Sequence, residues 1–162
     1  MSHSKNPNEE VPVPLLFNGH ALDRNDLLLN PQTNTNSFGY ISNLKGSSAG
    51  HIVLKWGEHV RQHKGFGCIH IWQQHGTEAK LKKHCSAIED IPNLINKILI
   101  PGTQILDTGK NRPAVVRSSV GTIILECPTE YRDYYSIVTL YFTNNIRGIV
   151  IGSIGREPIQ KD

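Results

Sequence analysis

Two histidines, His70 and His75, lie five positions apart in the segment Gly65-Phe66-Gly67-Cys68-Ile69-His70-Ile71-Trp72-Gln73-Gln74-His75-Gly76. Imidazole gives and takes protons near neutral pH. Two imidazoles beside cations are what metal-free cleavage of a phosphodiester needs: one takes a proton from the attacking oxygen, the other returns one to the leaving oxygen. Lys55, Lys64, Lys80, Lys82 and Lys83 are close by in sequence. Of these, Lys55, Lys64 and Lys82 are candidates for binding substrate phosphates, although scattered lysines taken singly are an ordinary solvated face.

Three further residues suit the same chemistry. Arg117 sits in the apolar run Val115-Val116-Arg117-Ser118, and its planar, permanently charged fork is shaped to grip two phosphate oxygens. Pairing with Glu126 is its plain structural alternative. In the run Tyr134 to Phe142, side chains alternate between the faces of a strand. That alternation puts Tyr135, Ile137, Thr139 and Tyr141 on one side, and Ser136, Val138, Leu140 and Phe142 on the other, taken as the core side. Thr139 and Tyr141 then present a hydroxyl and a phenol together, although both residue types are also common strand formers.

Competing chemistries fit less well. His70 and His75 would be roughly 140° apart around a helix of 3.6 residues per turn, whereas helical metal ligands favour spacings of three or four. There is no HExxH and no neighbouring Asp/Glu cluster, so neither a metal nor a cofactor is expected. No GxSxG occurs, and Gly65-Phe66-Gly67 lacks the rest of a nucleotide-binding loop. Cys68, two residues before His70, would point away from it on a helix. The three cysteines, Cys68, Cys85 and Cys127, form no CxxC and read as reduced, buried thiols. His20, His51, His59 and His63 show no usable pattern.

The elements that must hold these residues follow from periodicity. Ile52-Val53-Leu54-Lys55-Trp56 is a short strand-like run. After the Lys64–Gly67 turn, Ile69, Trp72 and Leu81 give a helical rhythm to about Lys83. A second helix starts at Asp90 with Pro92 in its first turn, carries Ile91, Leu94, Ile95, Ile98 and Leu99 on one stripe, and stops at Pro101-Gly102. The remainder reads as strands: 104–106, 114–118, 122–126, 134–142 and 149–151, with turns at 107–111, Val120-Gly121 and Asn144-Asn145. Helices first and strands afterwards predict an α+β domain with an antiparallel sheet.

Residues 1–50 read as a flexible leader or linker, with Pro12, Pro14, an Asn/Thr/Pro tract at 30–36 and Gly46-Ser47-Ser48-Ala49-Gly50; Phe38, Tyr40 and Ile41 could pin it to a core. The domain itself spans 51–156, followed by a tail at 157–162. The N-terminus lacks a signal-peptide core, and no apolar run has membrane-spanning length, so no membrane insertion is expected. Lys and Arg exceed Asp and Glu by 17 − 14 = 3, which permits a polyanionic partner without demanding one.

From Gly50 to Gly155 the order of these features resembles bacterial and phage toxin nucleases of the Barnase/EndoU/colicin/RelE superfamily. The residues that carry the resemblance are Gly65 to His75, Val115-Val116-Arg117-Ser118 and Tyr135 to Tyr141. Gln74 stands where many relatives have a basic residue. The resemblance implies a metal-independent endoribonuclease, often directed at tRNA, with N-terminal helices packed on a four- to five-stranded antiparallel sheet. On that footing His70 would be the general base and His75 the general acid or a second phosphate contact. Arg117 would stabilise the phosphorane, Thr139 would donate to a phosphate oxygen, and Tyr141 would stack on a base or act as an alternative acid. It also implies action in the cytoplasm, with secretion or delivery by another system, and a tight-binding acidic inhibitor or immunity protein. Two alternatives remain: a non-catalytic module binding nucleic acid or protein, and an ADP-ribosyltransferase-like toxin, for which Arg117-Ser118-Ser119 lacks a following Glu-x-Glu.

Overall fold

The computed structural model describes residues 23–42, 44–109, 112–117, 119–142 and 146–156. Leader residues 1–22, the tail 157–162 and parts of the turns expected near 107–111 and 144–145 lie outside these. Nine strands occur among the described residues: β1 Gly39–Ile41, β2 Gly50–Val53, β3 Glu58–Arg61, β4 Lys64–Phe66, β5 Gln104–Asp107, β6 Ala114–Arg117, β7 Gly121–Glu126, β8 Tyr135–Tyr141 and β9 Ile149–Ser153. Three short helices, α1 Gly67–His75, α2 Ala79–His84 and α3 Ile91–Ile98, separate β4 from β5.

This overturns the expected α+β layout. Seven strands form one sheet in the order β1-β2-β8-β7-β6-β5-β9, while β3 and β4 form a separate hairpin. The sheet is mixed, because β2 runs parallel to β8 whereas its other pairings are antiparallel. It also curls nearly into a barrel: Tyr40 of β1 bridges Gly155, just past β9, and the Gly155 N–H donates to the Tyr40 carbonyl at 2.8 Å. The discrepancy has a physical source. Strands of three or four residues interrupted by glycine offer too few alternating positions to register as strands, and pairing between β2 and β8 joins segments more than eighty residues apart.

The apolar stripe of α3 behaves as its spacing indicates, with Ile91, Leu94, Ile95 and Ile98 buried and Pro92 in the first turn. It packs with Ile52, Ile105, Val115, Ile123, Leu125, Ile137 and Leu140 of the sheet and with Cys68 and Ile71 of α1. The expected single helix to Lys83 is instead two, divided at Gly76-Thr77, where the Glu78 N–H donates to the His75 carbonyl. Leu28, Phe38, Ile41 and Leu44 are also core residues. The described part of the leader is therefore packed into the same body.

A β-bulge decides which side chains of β8 face where. Opposite β7, Thr139 pairs with Ile124 but Ile137 pairs with Leu125, leaving Val138 as the extra residue. Tyr135, Ile137 and Leu140 consequently all join the core. Strict alternation had grouped Ile137 with Thr139 and Leu140 with Ser136; the bulge separates both pairs.

Candidate functional site

The hairpin β3–β4 and the start of α1 bring two histidines into contact. His59 of β3 pairs across the hairpin with Gly65 of β4. The His59 Nδ1 and His70 Nδ1 atoms are 2.9 Å apart, with the rings stacked at 5.1 Å between centroids. Gly65 makes this possible: its φ is +152°, and a Cβ there would lie 2.6 Å from His70 Nδ1 and would also collide with the Glu58 carbonyl. The helix is anchored at its start by hydrogen bonds from the Cys68 and Ile69 N–H groups to the Lys55 and Trp56 carbonyls, both 2.9 Å.

His70 is 2% exposed. Its pKa is pushed down to about 4, first by burial and then by the nearby His59, His75 and His63 rings. At neutral pH it is an uncharged imidazole, and a second proton on the pair is disfavoured.

Gly65 also lines a cavity of about 230 Å³, together with Lys55, Phe66, Arg112, Glu126, Ser136 and Val138. Its charge is lopsided. The Glu126 carboxylate receives Arg132 at 2.8 Å and Arg112 at 3.9 Å. Lys55 reaches over the rings of Phe66 and Tyr134, at 5.9 and 5.6 Å, and pairs with no carboxylate among the described residues. Two guanidinium groups thus share the Glu126 carboxylate while Lys55 has none among the described residues, and the surplus of positive charge favours an anion. A larger cavity, about 360 Å³ between Asn36 and Tyr134, holds no comparable set of charges.

The residues expected from sequence are distributed unevenly. Lys55 lines the cavity directly, whereas His70 is not part of its lining and lies against one lining residue, Gly65. His75 lies at the far end of α1, 5% exposed. Its Nδ1 pairs with the Glu78 carboxylate and its Nε2 lies 3.3 Å from the Gln74 side-chain Nε2, while the Gln74 side-chain Oε1 accepts the His63 backbone N–H at 2.7 Å. Gln74, the departure from the basic residue, thus ties the hairpin turn to the helix. His75 and Tyr141 do meet, edge to face at 5.6 Å. Thr139 is 4% exposed, and its hydroxyl has no hydrogen-bond partner among the described residues.

Arg117 is not gathered with these groups. It pairs with Gly121, so it shares the parity of Val115 and Ile123, both core residues, and projects from the face opposite to the Thr139 and Ile124 pair. Arg112, five positions earlier and not singled out in the sequence, reaches the cavity instead. Lys64 and Lys82 are exposed, on β4 and α2. His59 was also unmarked by sequence; the available signal was the glycine bracket of Gly57, Gly65 and Gly67, which folds residue 59 back beside residue 65.

The thiols offer no competing nucleophile. All three cysteines are free, and burial followed by the proximity of Cys85 raises the Cys68 pKa far above its ordinary value. Among the described residues no group of three His, Cys, Asp or Glu side chains converges as a metal site. No helix among them is long and apolar enough to cross a membrane. No protein-family model matches the chain, and comparisons with curated proteins and with solved structures find no match.

Proposed function

We propose that this chain is a metal-independent endoribonuclease of the Barnase/EndoU/colicin/RelE kind, directed at tRNA. The observation that carries this reading is the hydrogen-bonded His59–His70 pair set beside the cationic cavity, the two joined by Gly65. An imidazole supplies the proton transfer, and the surplus cations supply the anion site. In this scheme a base takes the proton of the ribose 2′-hydroxyl. The 2′-oxygen then bonds to the adjacent phosphorus and the 5′-oxygen leaves protonated, giving a 2′,3′-cyclic phosphate and a 5′-hydroxyl. The 2′-hydroxyl requirement restricts the reaction to RNA.

Arg112 takes the role expected of Arg117, because it lies with Lys55 on the cavity. A guanidinium on the developing phosphorane charge is worth roughly 10²–10³ in rate, as for other groups aimed at transition-state charge. A cytoplasmic ribonuclease of this kind calls for a cognate acidic inhibitor that covers the cationic cavity.

The test is incubation of the purified protein with total RNA in EDTA, followed by analysis of the ends formed. Discrete fragments with 2′,3′-cyclic phosphate ends are expected, with a rate drop of about 100-fold or more for His70→Ala or Arg112→Ala and little loss of RNA affinity. Intact RNA from a well-folded wild type, or losses of rate that merely follow losses of affinity, would favour the binding-module alternative.

A further inference from the structure

The sequence nominates His70 and His75 as the acid–base pair, yet neither has a nitrogen open to a substrate. His70 is 2% exposed and turns its Nδ1 to His59. His75 has both ring nitrogens engaged, one by Glu78 and one by Gln74. His59 differs from both. It is half-buried on β3, opposite the glycine that lines the cavity, and its Nε2 makes no hydrogen bond among the described residues.

We infer that His59 is the residue that exchanges a proton with substrate, and that His70 is the positioning residue that fixes its ring and its tautomer; this rests on the nuclease reading above. The hydrogen bond between the two Nδ1 atoms permits only one of them to carry hydrogen. When His59 donates through Nδ1, its Nε2 holds a lone pair and is a base. After Nε2 takes a proton, both His59 nitrogens carry hydrogen, so Nδ1 can only donate and His70 must accept. A buried, neutral His70 is fitted to accept in both states, which makes it a fixed partner rather than a second site of protonation.

In the cleavage step the His59 Nε2 lone pair takes the proton of the 2′-hydroxyl, the 2′-oxygen forms a bond to phosphorus, and the bond from phosphorus to the 5′-oxygen breaks. The 5′-oxygen receives a proton from water. His59 then releases its own proton to solvent or returns it when the cyclic phosphate is hydrolysed. Glu58 faces this hairpin but pairs outward with Arg24 at 3.5 Å, and His63 and His75 are the other titratable neighbours of His70.

Accessibility supplies the test. His59→Ala leaves an opening that imidazole from the buffer can fill, whereas a hole at His70 is closed to it. Rates of RNA cleavage in EDTA are compared for wild type, His59→Ala and His70→Leu, each with and without imidazole, and for His70→Asn. Turnover by His59→Ala is expected to fall by about 100-fold or more, the loss of one acid–base group, and to be partly restored by imidazole. His70→Leu shows no such rescue, and His70→Asn, which keeps an acceptor near the Nδ1 position, retains more turnover than His70→Leu at an unchanged KM. Because substitutions at buried His70 can unfold the chain, the nitrogen-15 shifts of wild-type imidazoles give a second readout, expected to show His59 protonated at Nδ1 and His70 not. Cleavage at the wild-type rate by His59→Ala, imidazole rescue of His70→Leu alone, or the reverse tautomer would overturn the assignment while leaving the nuclease reading intact. Absence of cleavage by folded wild type would instead remove the nuclease reading, and the proton-transfer role with it.

Discussion

A histidine sealed from water and surrounded by three others stores a pH dependence that can be read without any substrate. The folded His70 ring takes a proton only near pH 4, whereas an unconstrained histidine takes one near 6.5, with burial the larger cause and His59, His75 and His63 the smaller ones. Between those values the unfolded chain binds a proton that the native one refuses, so stability falls as the pH falls through that window and is unaffected above it. The full window corresponds to about 3 kcal/mol, a large share of a small domain's stability. Urea unfolding of wild type and His70→Gln at pH 7.5 and pH 4.5 checks this: carboxylate titration is common to both chains, and wild type is expected to lose more stability. Equal losses would show that His70 carries no such penalty. At this scale the sequence disclosed His70, because an imidazole next to a glycine turn is conspicuous, but hid His59 and Arg112. Both depend on chain reversals that bring residues 59 and 65, and residues 112 and 126, to one place.

At the scale of elements, the site is made by one glycine and one bulge. Gly65 lets the His70 ring lie against the β3–β4 hairpin, and its φ of +152° is one that residues with a side chain rarely adopt. Gly65→Ala should therefore cost stability through strain, about 1–3 kcal/mol, and should also separate the two imidazoles. Gly102→Ala is the control: φ there is +95° and a Cβ would meet nothing within 4 Å, so only the strain is shared. Thermal melts and RNA cleavage in EDTA should show both variants destabilised and only Gly65→Ala impaired in cleavage per folded molecule. Equal activity would mean that the imidazole contact is not needed. The bulge at Val138 shows why strand faces were only partly legible. Period-two alternation assumes an unbroken ladder, and one inserted residue exchanges the faces beyond it. The α3 stripe suffers no such interruption, and its buried residues follow the sequence pattern directly.

For the whole molecule, the question is what the segment before residue 51 contributes. Its Asn, Pro, Gly and Ser content suggests a linker, and composition averages away four widely separated apolar residues: Leu28, Phe38, Ile41 and Leu44, none more than 3% exposed. Burying each such side chain contributes about 1.5–3 kcal/mol, so the four together contribute about 6–12 kcal/mol. That is comparable to the entire net stability of an ordinary domain, about 5–15 kcal/mol. The same segment supplies β1, which brings Tyr40 against Gly155 and nearly closes the sheet. Leu28 is further tied by its N–H to the Leu54 carbonyl at 2.9 Å, directly before Lys55 of the cavity. A chain beginning at residue 51 is therefore expected not to fold cooperatively: it would show no sharp unfolding transition, would bind a hydrophobic dye, and would cleave no RNA. If the chain from residue 51 instead melted sharply and kept its activity, the apolar residues of the earlier segment would be ornament on a core complete without them. The burial sum argues against that outcome, because a loss of about 6–12 kcal/mol removes most of a net stability of about 5–15 kcal/mol.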